Sequence, residues 1–167
     1  MSGKTSTLHL LCGKIASGKS TLVSRLASAP ATVLIAEDSW LSRLYPNEIT
    51  TLEDYVRYSG RLGDVLGGHV EALLEAGLSV VLDFPANTVS QRQWMRGIFE
   101  DAGAAHQLHY LDVSDAVCKA RLLQRNEDGA HAFAPSAADF DLFTRHFVPP
   151  SPDEDFNLRV YSELECG

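Results

Sequence analysis

The feature that most restricts the fold of this chain is a glycine-rich stretch near its beginning. Residues 13–20, GKIASGKS, fit the pattern G-x-x-x-x-G-K-[ST], which seldom arises by chance in 167 residues. The apolar run before it, residues 7–12, predicts a β-strand, and residues 19–29 predict a helix that ends before Pro30. A strand, a glycine loop and a helix in this order are typical of phosphate-binding α/β proteins.

Short apolar runs alternate with helical patterns along the rest of the chain. Further strands are predicted at residues 32–36, 79–83, 106–111 and 157–161. Capping boxes that begin at Thr51, Thr88 and Ser136 predict helices, the last two through about residues 101 and 147, and Ser114 begins another through about residue 125. We therefore expect an α/β fold, a three-layer sandwich of about five mainly parallel strands with helices on both faces, in one domain of residues 1–167.

The charge and cysteine content argue against several classes of protein. A formal net charge of -8 disfavours a nucleic-acid partner, because such affinity depends on clustered Lys and Arg. The widely spaced Cys12, Cys118 and Cys166 predict free thiols rather than a disulfide framework or a zinc site. The apolar stretch near the start is too short for a signal peptide, and no run approaches a membrane span. We expect a soluble, cytoplasmic protein.

The glycine loop predicts how a nucleoside triphosphate would be held. Gly13 and Gly18 allow several backbone N–H groups to turn towards an anion, and the N-terminus of the following helix adds partial positive charge. Lys19 is expected to act on the β- and γ-phosphates as a catalytic residue, and Ser20 to ligate Mg²⁺. The residues expected to contact the nucleotide are Gly13, Lys14, Ile15, Ala16, Ser17, Gly18, Lys19, Ser20 and Thr21. ATP and Mg²⁺ are the predicted cofactors.

The rest of the sequence favours a kinase over a switch GTPase. The guanine-reading pattern N-K-x-D is absent, and the D-x-x-G at residues 64–67 lies inside a helical pattern. A kinase needs a carboxylate to take the proton of the acceptor hydroxyl. Glu37 and Asp38 follow the second predicted strand, and Asp38 is the candidate for this base. The alternative for Asp38 is an N-cap of a helix that begins near Trp40.

Polar residues after the third predicted strand belong to the same edge of the sheet. Asp83 ends that strand and is expected to bind Mg²⁺ directly or through water, with a structural hydrogen-bonding role as the alternative. Asn87 and Arg92 follow in a loop and the first turn of a helix. They are candidates for holding the acceptor or for orienting Asp83.

A polar segment late in the chain has the features of a lid. Arg121 and Arg125 are four residues apart on one face of a predicted helix, and the segment then becomes a polar loop that ends at Pro135. We expect a lid at about residues 121–136 whose arginines are catalytic and stabilise phosphoryl charge, or stack on adenine; a solvated helix face is the alternative. His131 is a further candidate in this loop, whereas the other histidines are scattered and predict no metal site.

Four stretches together resemble the small P-loop kinases of the AAA type, which include chloramphenicol phosphotransferase-like and zeta-toxin-like enzymes and the kinase domain of polynucleotide kinases. They are GKIASGKS, EDSW, VVLDFPANTVSQR and RLLQRN, of which only the first is highly specific. The resemblance implies that Asp38 is the general base and that Arg121 and Arg125 contact phosphates. Many relatives have glycine where Ala16 stands, and polynucleotide kinases have arginine where this chain has Leu41.

These observations leave three functions open. The favoured one is an ATP-dependent phosphotransferase that moves the γ-phosphate to a hydroxyl of a small molecule. A polynucleotide or nucleoside-end 5′-kinase is the second, and Leu41 argues against it. The third is a nucleotide-binding ATPase that regulates a protein partner. The first two require an acceptor that accelerates ATP turnover, whereas the third requires a partner whose binding changes with the nucleotide.

Overall fold

Strands and helices alternate in the computed structural model, which describes residues 5–129 and 135–166. The strands are β1 (Thr7–Cys12), β2 (Thr32–Ala36), β3 (Ser79–Pro85), β4 (Ala105–Leu111) and β5 (Leu158–Tyr161). The helices are α1 (Lys19–Ala27), α2 (Glu37–Leu44), α3 (Leu52–Glu75), α4 (Val89–Ala102), α5 (Asp115–Asp128) and α6 (Ala137–Arg145). A short 3-10 helix, Pro152–Glu154, precedes β5.

The strands form one parallel sheet in the order β2-β3-β1-β4-β5. The connection from β1 to β2 leads to one side of β1, and the connection from β3 to β4 crosses to the other side, so the strand order reverses at β1. Because the strands are parallel, their carboxyl ends lie on one rim, and a ligand crevice forms at that rim where the order reverses. This rim is where the glycine loop follows β1.

Alternating side chains of the central strands build a separate core on each face of the sheet. Leu8 and Leu10 of β1 belong to the core under α3 and α4, whereas Leu11 belongs to the core under α1 and α5. The first core includes Leu62, Leu66, Val70, Met95 and Ile98, and the second includes Leu22, Val23, Cys118, Leu122 and Phe140. Helices therefore cover both faces, and the predicted three-layer α/β fold is confirmed.

Most helices begin at the residues predicted from the sequence. One helix start and several helix ends differ from the prediction. The capping boxes of Thr51, Thr88 and Ser136 are all formed. The start of α2 differs, because this helix begins at Glu37 rather than near Trp40. Three ends differ: α1 ends at Ala27, α5 continues through Asp128, and α6 ends at Arg145. The predicted lid is thus helical through residue 128, and its residues 130–134, with His131, lie outside the described residues.

The three cysteines are buried free thiols, as predicted. Each lies in one of the two cores, Cys12 in the first and Cys118 and Cys166 in the second. Over residues 5–129 and 135–166, no helix combines the length and the apolar character that crossing a membrane requires.

Candidate active site

The glycine loop between β1 and α1 is shaped by left-handed backbone conformations. Gly18 has φ 103° and Ala16 has φ 63°, a region that residues other than glycine seldom adopt. The N–H of Ser17 donates to the Lys14 carbonyl at 3.1 Å, which closes a turn within the loop. Ala16 therefore occupies a position that favours glycine, in agreement with the glycine that many similar kinases have there.

Two glycines of the loop lie too close to neighbouring atoms to carry a side chain in the conformation that the structure has. A side-chain carbon on Gly13 would lie 2.6 Å from the Ser17 Oγ, and one on Gly18 would lie 2.6 Å from the Cys166 carbonyl oxygen. Both distances are far shorter than a non-bonded contact allows. The Ser17 Oγ is itself buried and has no hydrogen-bond partner among the described residues. An unsatisfied buried hydroxyl in this loop fits a site that a ligand completes.

Lys19 lies folded over the start of the loop. Its ammonium donates to the Gly13 carbonyl at 2.6 Å and to the Lys14 carbonyl at 3.2 Å. Burial lowers the pKa of Lys19, and the charges of Asp83 and Asp38 oppose this by raising it. Phosphate oxygens are stronger partners for an ammonium than neutral carbonyls. Lys19 is therefore placed to exchange its loop carbonyls for a bound phosphate.

The pairing of β2 with β3 brings acidic residues from both strands together. Ala36 pairs with Asp83 across the two strands. Glu37 and Asp38 follow Ala36 directly and form the first turn of α2. The structure therefore places these three carboxylates beside one another at the rim that carries the glycine loop.

Asp83 lies at an irregularity between β3 and β1. Leu10 of β1 pairs with Leu82, but the next residue, Leu11, pairs with Pro85. Bulges of this kind bend a strand and redirect its side chains, and they are common beside active sites. β3 thus continues two residues beyond the end expected from the sequence, to Pro85.

The charges of Lys19 and Asp38 both act on the carboxyl group of Asp83. Burial raises the pKa of Asp83, the Lys19 ammonium lowers it, and the charge of Asp38 raises it. Carboxylate and hydroxyl oxygens are ligands that Mg²⁺ prefers, so the half-buried Asp83 and the exposed Ser20 fit this ion. No three His, Cys, Asp or Glu side chains in the described parts of the chain are grouped to hold a metal. Nucleotide oxygens and water would therefore supply further ligands.

Asp38 and Glu37 are neighbours in sequence but have opposite environments. Asp38 is exposed, whereas Glu37 is 5% exposed and accepts a hydrogen bond from the Tyr55 hydroxyl. Burial raises the pKa of Glu37 to about 7, although the hydrogen bond from Tyr55 lowers it. The N-cap of α2 is Ala36, so the alternative role of Asp38 as an N-cap is wrong. Of these two carboxylates, only Asp38 is thus open to solvent.

Asn87 anchors the first residue of the loop. Its Oδ1 accepts a hydrogen bond from the N–H of Gly13 at 3.0 Å. Its backbone carbonyl accepts another from the N–H of Val148 at 2.8 Å. Asn87 therefore joins the glycine loop to the segment before α4 and to the segment after α6.

Arg92 is a structural residue rather than a residue of the acceptor site. Its guanidinium is fully buried and pairs with the Glu154 carboxylate through Nε at 2.8 Å and Nη2 at 3.1 Å. Its Nη1 donates to the Ala86 and Val148 carbonyls, each at 2.9 Å. These bonds join α4 to the segment before β5 and do not include Asp83, so the idea that Arg92 orients Asp83 is not supported.

The two predicted lid arginines lie on α5, and Arg121 contacts the loop. The Nη1 of Arg121 donates to the Ser17 carbonyl at 3.3 Å. Arg125 is half-buried, and its buried Nε has no hydrogen-bond partner among the described residues. Neither side chain is fully solvated, which disfavours the alternative of an exposed helix face. A buried guanidinium nitrogen without a partner fits a side chain that a ligand would satisfy.

The parallel sheet with a glycine loop between β1 and α1 defines an α/β protein of the P-loop NTPase fold. Residues 8–150 match the family model AAA_33, AAA domain, and the chain belongs to this family. The predicted resemblance to small AAA-type P-loop kinases is thereby confirmed. No curated protein matches the chain.

Solved structures share this fold over most of the chain. A candidate kinase from Chloroflexus aurantiacus j-10-fl is 21% identical, with a TM-score of 0.75 over 95% of this chain and 88% of that chain. APS kinase CysC from Mycobacterium tuberculosis, in complex with AMPPNP and APS, is 17% identical, with a TM-score of 0.61 over 95% and 88%. A chain of the Pnkp1/Rnl/Hen1 RNA repair complex is 18% identical, with a TM-score of 0.63 over 86% and 47%. At these identities the likeness shows the fold alone.

Two contacts at the site involve residues that the sequence did not single out. Tyr55 donates to Glu37, 18 residues earlier, and Asp115 forms an ion pair with Lys14 at 2.7 Å. Neither contact has a local signal in the sequence. In the sequence pattern, Tyr55 is an ordinary apolar position of α3, and Asp115 is an acidic residue in the first turn of a helix, where such residues are common. Their roles follow only from the packing of distant segments.

Proposed function

We propose that this protein is an ATP-dependent kinase that transfers the γ-phosphate to a hydroxyl of a small molecule. The observation that carries this proposal is geometric: the pairing of Ala36 with Asp83 brings Asp83 and the exposed Asp38 to the rim that carries the glycine loop and Lys19. A loop that only binds a nucleotide does not need an exposed carboxylate at its rim. A kinase does, because the acceptor hydroxyl must lose a proton.

The residues of the rim have complementary roles in this reaction. The loop N–H groups and Lys19 bind the phosphates, and Asp38 takes the proton of the acceptor hydroxyl. The acceptor oxygen attacks the γ-phosphorus, the bond from that phosphorus to the β,γ-bridging oxygen breaks, and ADP leaves. Ser20 and Asp83 would hold Mg²⁺, which neutralises charge on the phosphate oxygens when it is bound. Arg121 and Arg125 would stabilise the charge of the transferring group. Support for a small acceptor comes from the similar APS kinase, which was solved with AMPPNP and APS.

A polynucleotide or nucleoside-end 5′-kinase is the second candidate, favoured by the likeness to a chain of an RNA repair complex. Two observations count against it. The net charge of -8 disfavours a surface that follows a phosphate backbone. Leu41, at the position where polynucleotide kinases have arginine, is 4% exposed and packs in the first core. An ATPase that regulates a protein partner would differ from both kinases in needing no acceptor.

Nucleotide binding is the first part of the test. MgATP should stabilise the folded protein by about 2.7 kcal/mol at one hundred times the dissociation constant, because only the folded loop binds it. Lys19→Ala should reduce this gain, since it removes the ammonium that binds the phosphates. Thermal unfolding with MgATP, MgADP and MgGTP measures the effect. A wild-type protein that none of the three stabilises at millimolar concentration would contradict the proposal.

The acceptor is the second part. Hydroxylated small molecules and DNA and RNA oligonucleotides should be screened by mass spectrometry for ATP-dependent phosphorylation, with Lys19→Ala as the inactive control. We expect a phosphorylated small alcohol. Oligonucleotide 5′-phosphorylation, with affinity that falls steeply with salt at a slope near ~0.7 per neutralised phosphate of a single strand, would instead establish the second candidate. ATP turnover that no acceptor accelerates would favour the regulatory ATPase.

A further inference from the structure

The side chain of Lys14 leaves the glycine loop and contacts three segments around α5. Its ammonium lies 2.7 Å from Oδ1 of Asp115, the first residue of α5, and donates to the Val113 carbonyl at 3.3 Å. It also lies 5.6 Å from the centroid of the Phe147 ring, after α6. The pattern G-x-x-x-x-G-K-[ST] leaves the residue type at position 14 open, because any residue except proline supplies a backbone N–H there. The lysine side chain therefore needs a separate explanation.

α5 is fastened to the loop at a second point by Arg121. The Nη1 of Arg121 donates to the Ser17 carbonyl at 3.3 Å, three residues after Lys14 in the loop. Asp115 and Arg121 are six residues apart, or about 9 Å along a helix that rises 1.5 Å per residue. Two contacts this far apart on one rigid helix fix the position and the direction of α5. They therefore also fix the position of Arg125, which is one turn after Arg121 on the same helix.

The Lys14–Asp115 pair differs from an ordinary surface ion pair. The Lys14 side chain is 19% exposed, whereas Asp115 is 56% exposed, and Lys14 has a carbonyl and an aromatic ring as further partners. Lys119 of α5 also pairs with an aspartate at 2.7 Å and also lies near an aromatic ring, 5.7 Å from the Phe140 centroid, but it joins α5 to α6 and is itself 40% exposed, with its aspartate 57% exposed. Exposed pairs contribute little to stability, because water and salt screen them. The Lys119–Asp141 pair is therefore a matched control on the same helix.

We propose that Lys14 is a positioning residue for phosphoryl transfer. It holds the first turn of α5 against the loop, so that Arg121 and Arg125 are placed at the γ-phosphate when a triphosphate is bound. This inference rests on the proposed kinase function, and it assigns Lys14 a role in addition to the backbone contact expected of any residue at that position. It acts through the arginines and does not itself contact the transferring group by its side chain.

An equilibrium measurement tests the inference without knowledge of the acceptor. The dissociation constants of AMPPNP and ADP, each with Mg²⁺, give the preference for a nucleotide with a third phosphate. We expect Lys14→Met to lower this preference about 10- to 100-fold, as small misplacements of catalytic groups do, and to change ADP affinity less. Asp115→Asn should have the same effect, Lys14→Arg should retain the preference, and Lys119→Met should leave it unchanged.

Coupling to Arg121 distinguishes positioning from a general loss of structure. Arg121→Ala should lower the AMPPNP preference in the wild type but much less in Lys14→Met, because the arginine is already misplaced there. Two results would overturn the inference: a Lys14→Met protein that matches Lys119→Met, or an Arg121→Ala effect that is equal in both backgrounds. A wild type that binds neither nucleotide would instead contradict the proposed function itself. Unfolding temperatures identify any variant that fails to fold. If Lys14→Met does not fold, the preference for AMPPNP over ADP is compared between Lys14→Arg and Asp115→Asn instead.

Discussion

At the scale of single residues, the site depends on the different surroundings of two adjacent carboxylates. Asp38 is exposed at the rim, whereas Glu37 is buried and accepts a hydrogen bond from Tyr55. A general base must reach the acceptor and be free to take its proton. Glu37 meets neither requirement, because its environment is closed and its carboxylate already has a donor.

Asp38→Asn should lower phosphoryl transfer by roughly 10²- to 10⁴-fold and leave ATP affinity almost unchanged, because the amide cannot take the proton. Glu37→Gln is the matched control, since the amide oxygen can still accept the Tyr55 hydrogen bond. We expect it to retain most of the turnover. Turnover and ATP affinity of both variants provide the measurement. If Asp38→Asn works at nearly the wild-type rate, Asp38 is not the base.

The sequence distinguished the loop residues better than the carboxylates. Gly13, Gly18 and Lys19 were identifiable because a fixed spacing and its position between a strand and a helix define them. The different environments of Glu37 and Asp38 could not be identified in the same way. They depend on where α2 begins and on Tyr55, which comes from another helix. Local patterns carry no information on such a contact.

At the scale of elements, Arg92 links α4 to the segment before β5. Its guanidinium is fully buried, with four hydrogen bonds to Glu154, Ala86 and Val148. Val148 also donates to the Asn87 carbonyl, and Asn87 accepts the N–H of Gly13. The glycine loop is thus supported by a network that begins at the buried arginine.

Arg92→Leu should lower the free energy of unfolding by about 1–3 kcal/mol, because the Ala86 and Val148 carbonyls lose their donor and Glu154 loses its ion pair. Arg57→Leu is the control. It removes the pair of Arg57 with Asp54 on the surface of α3, for which little change in stability is expected because water and salt screen the pair. Urea unfolding of both variants gives the comparison. Similar small losses would mean that the Arg92 network contributes little to the fold.

Elements that carry a local signal were predicted well. β2 has the predicted bounds, residues 32–36, and the capping boxes of α3, α4 and α6 form as expected. The start of α2 was missed because Ala36 supplies no side-chain capping bond that a sequence pattern could reveal. The end of β3 was missed because its last residues pair across a register shift, which depends on β1.

At the scale of the whole molecule, one face of the sheet and the rim each contain a buried group whose pKa is shifted by burial, downward for His109 and upward for Glu37. On the second face, His9 Nδ1 lies 2.9 Å from His109 Nε2, and His109 Nδ1 lies 2.8 Å from the Tyr161 hydroxyl. Burial lowers the pKa of His109 to about 4. At the rim, burial raises the pKa of Glu37 to about 7. His109 is therefore kept neutral in the folded state, and so is Glu37 below about pH 7.

These two groups should make stability depend on pH in opposite ways. The pKa of His109 is lower in the folded state than its ordinary value of 6.5, so its contribution is present above pH 6.5 and is lost as the pH falls towards 4. The pKa of Glu37 is raised from 4.5, so its contribution is present below pH 4.5 and is lost as the pH rises towards 7. Between these limits the two contributions oppose one another in the wild-type protein.

Glu37→Gln should therefore change the pH profile of stability rather than shift it uniformly. As the pH rises, ionisation of the buried Glu37 lowers the free energy of unfolding of the wild type, and the variant does not have this loss. The free energy of unfolding of the variant should therefore rise relative to that of the wild type by up to about 3 kcal/mol between pH 4.5 and pH 8, at about 1.4 kcal/mol per pKa unit. His109→Gln should show the opposite pH dependence. Its free energy of unfolding should rise relative to that of the wild type as the pH falls from 6.5 to 4, because a neutral amide has no proton to take up. Urea unfolding at several pH values measures both differences, and comparison with the wild type removes the contributions of the other groups. A difference between Glu37→Gln and the wild type that stays constant from pH 4.5 to pH 8 would mean that Glu37 titrates normally in the folded protein.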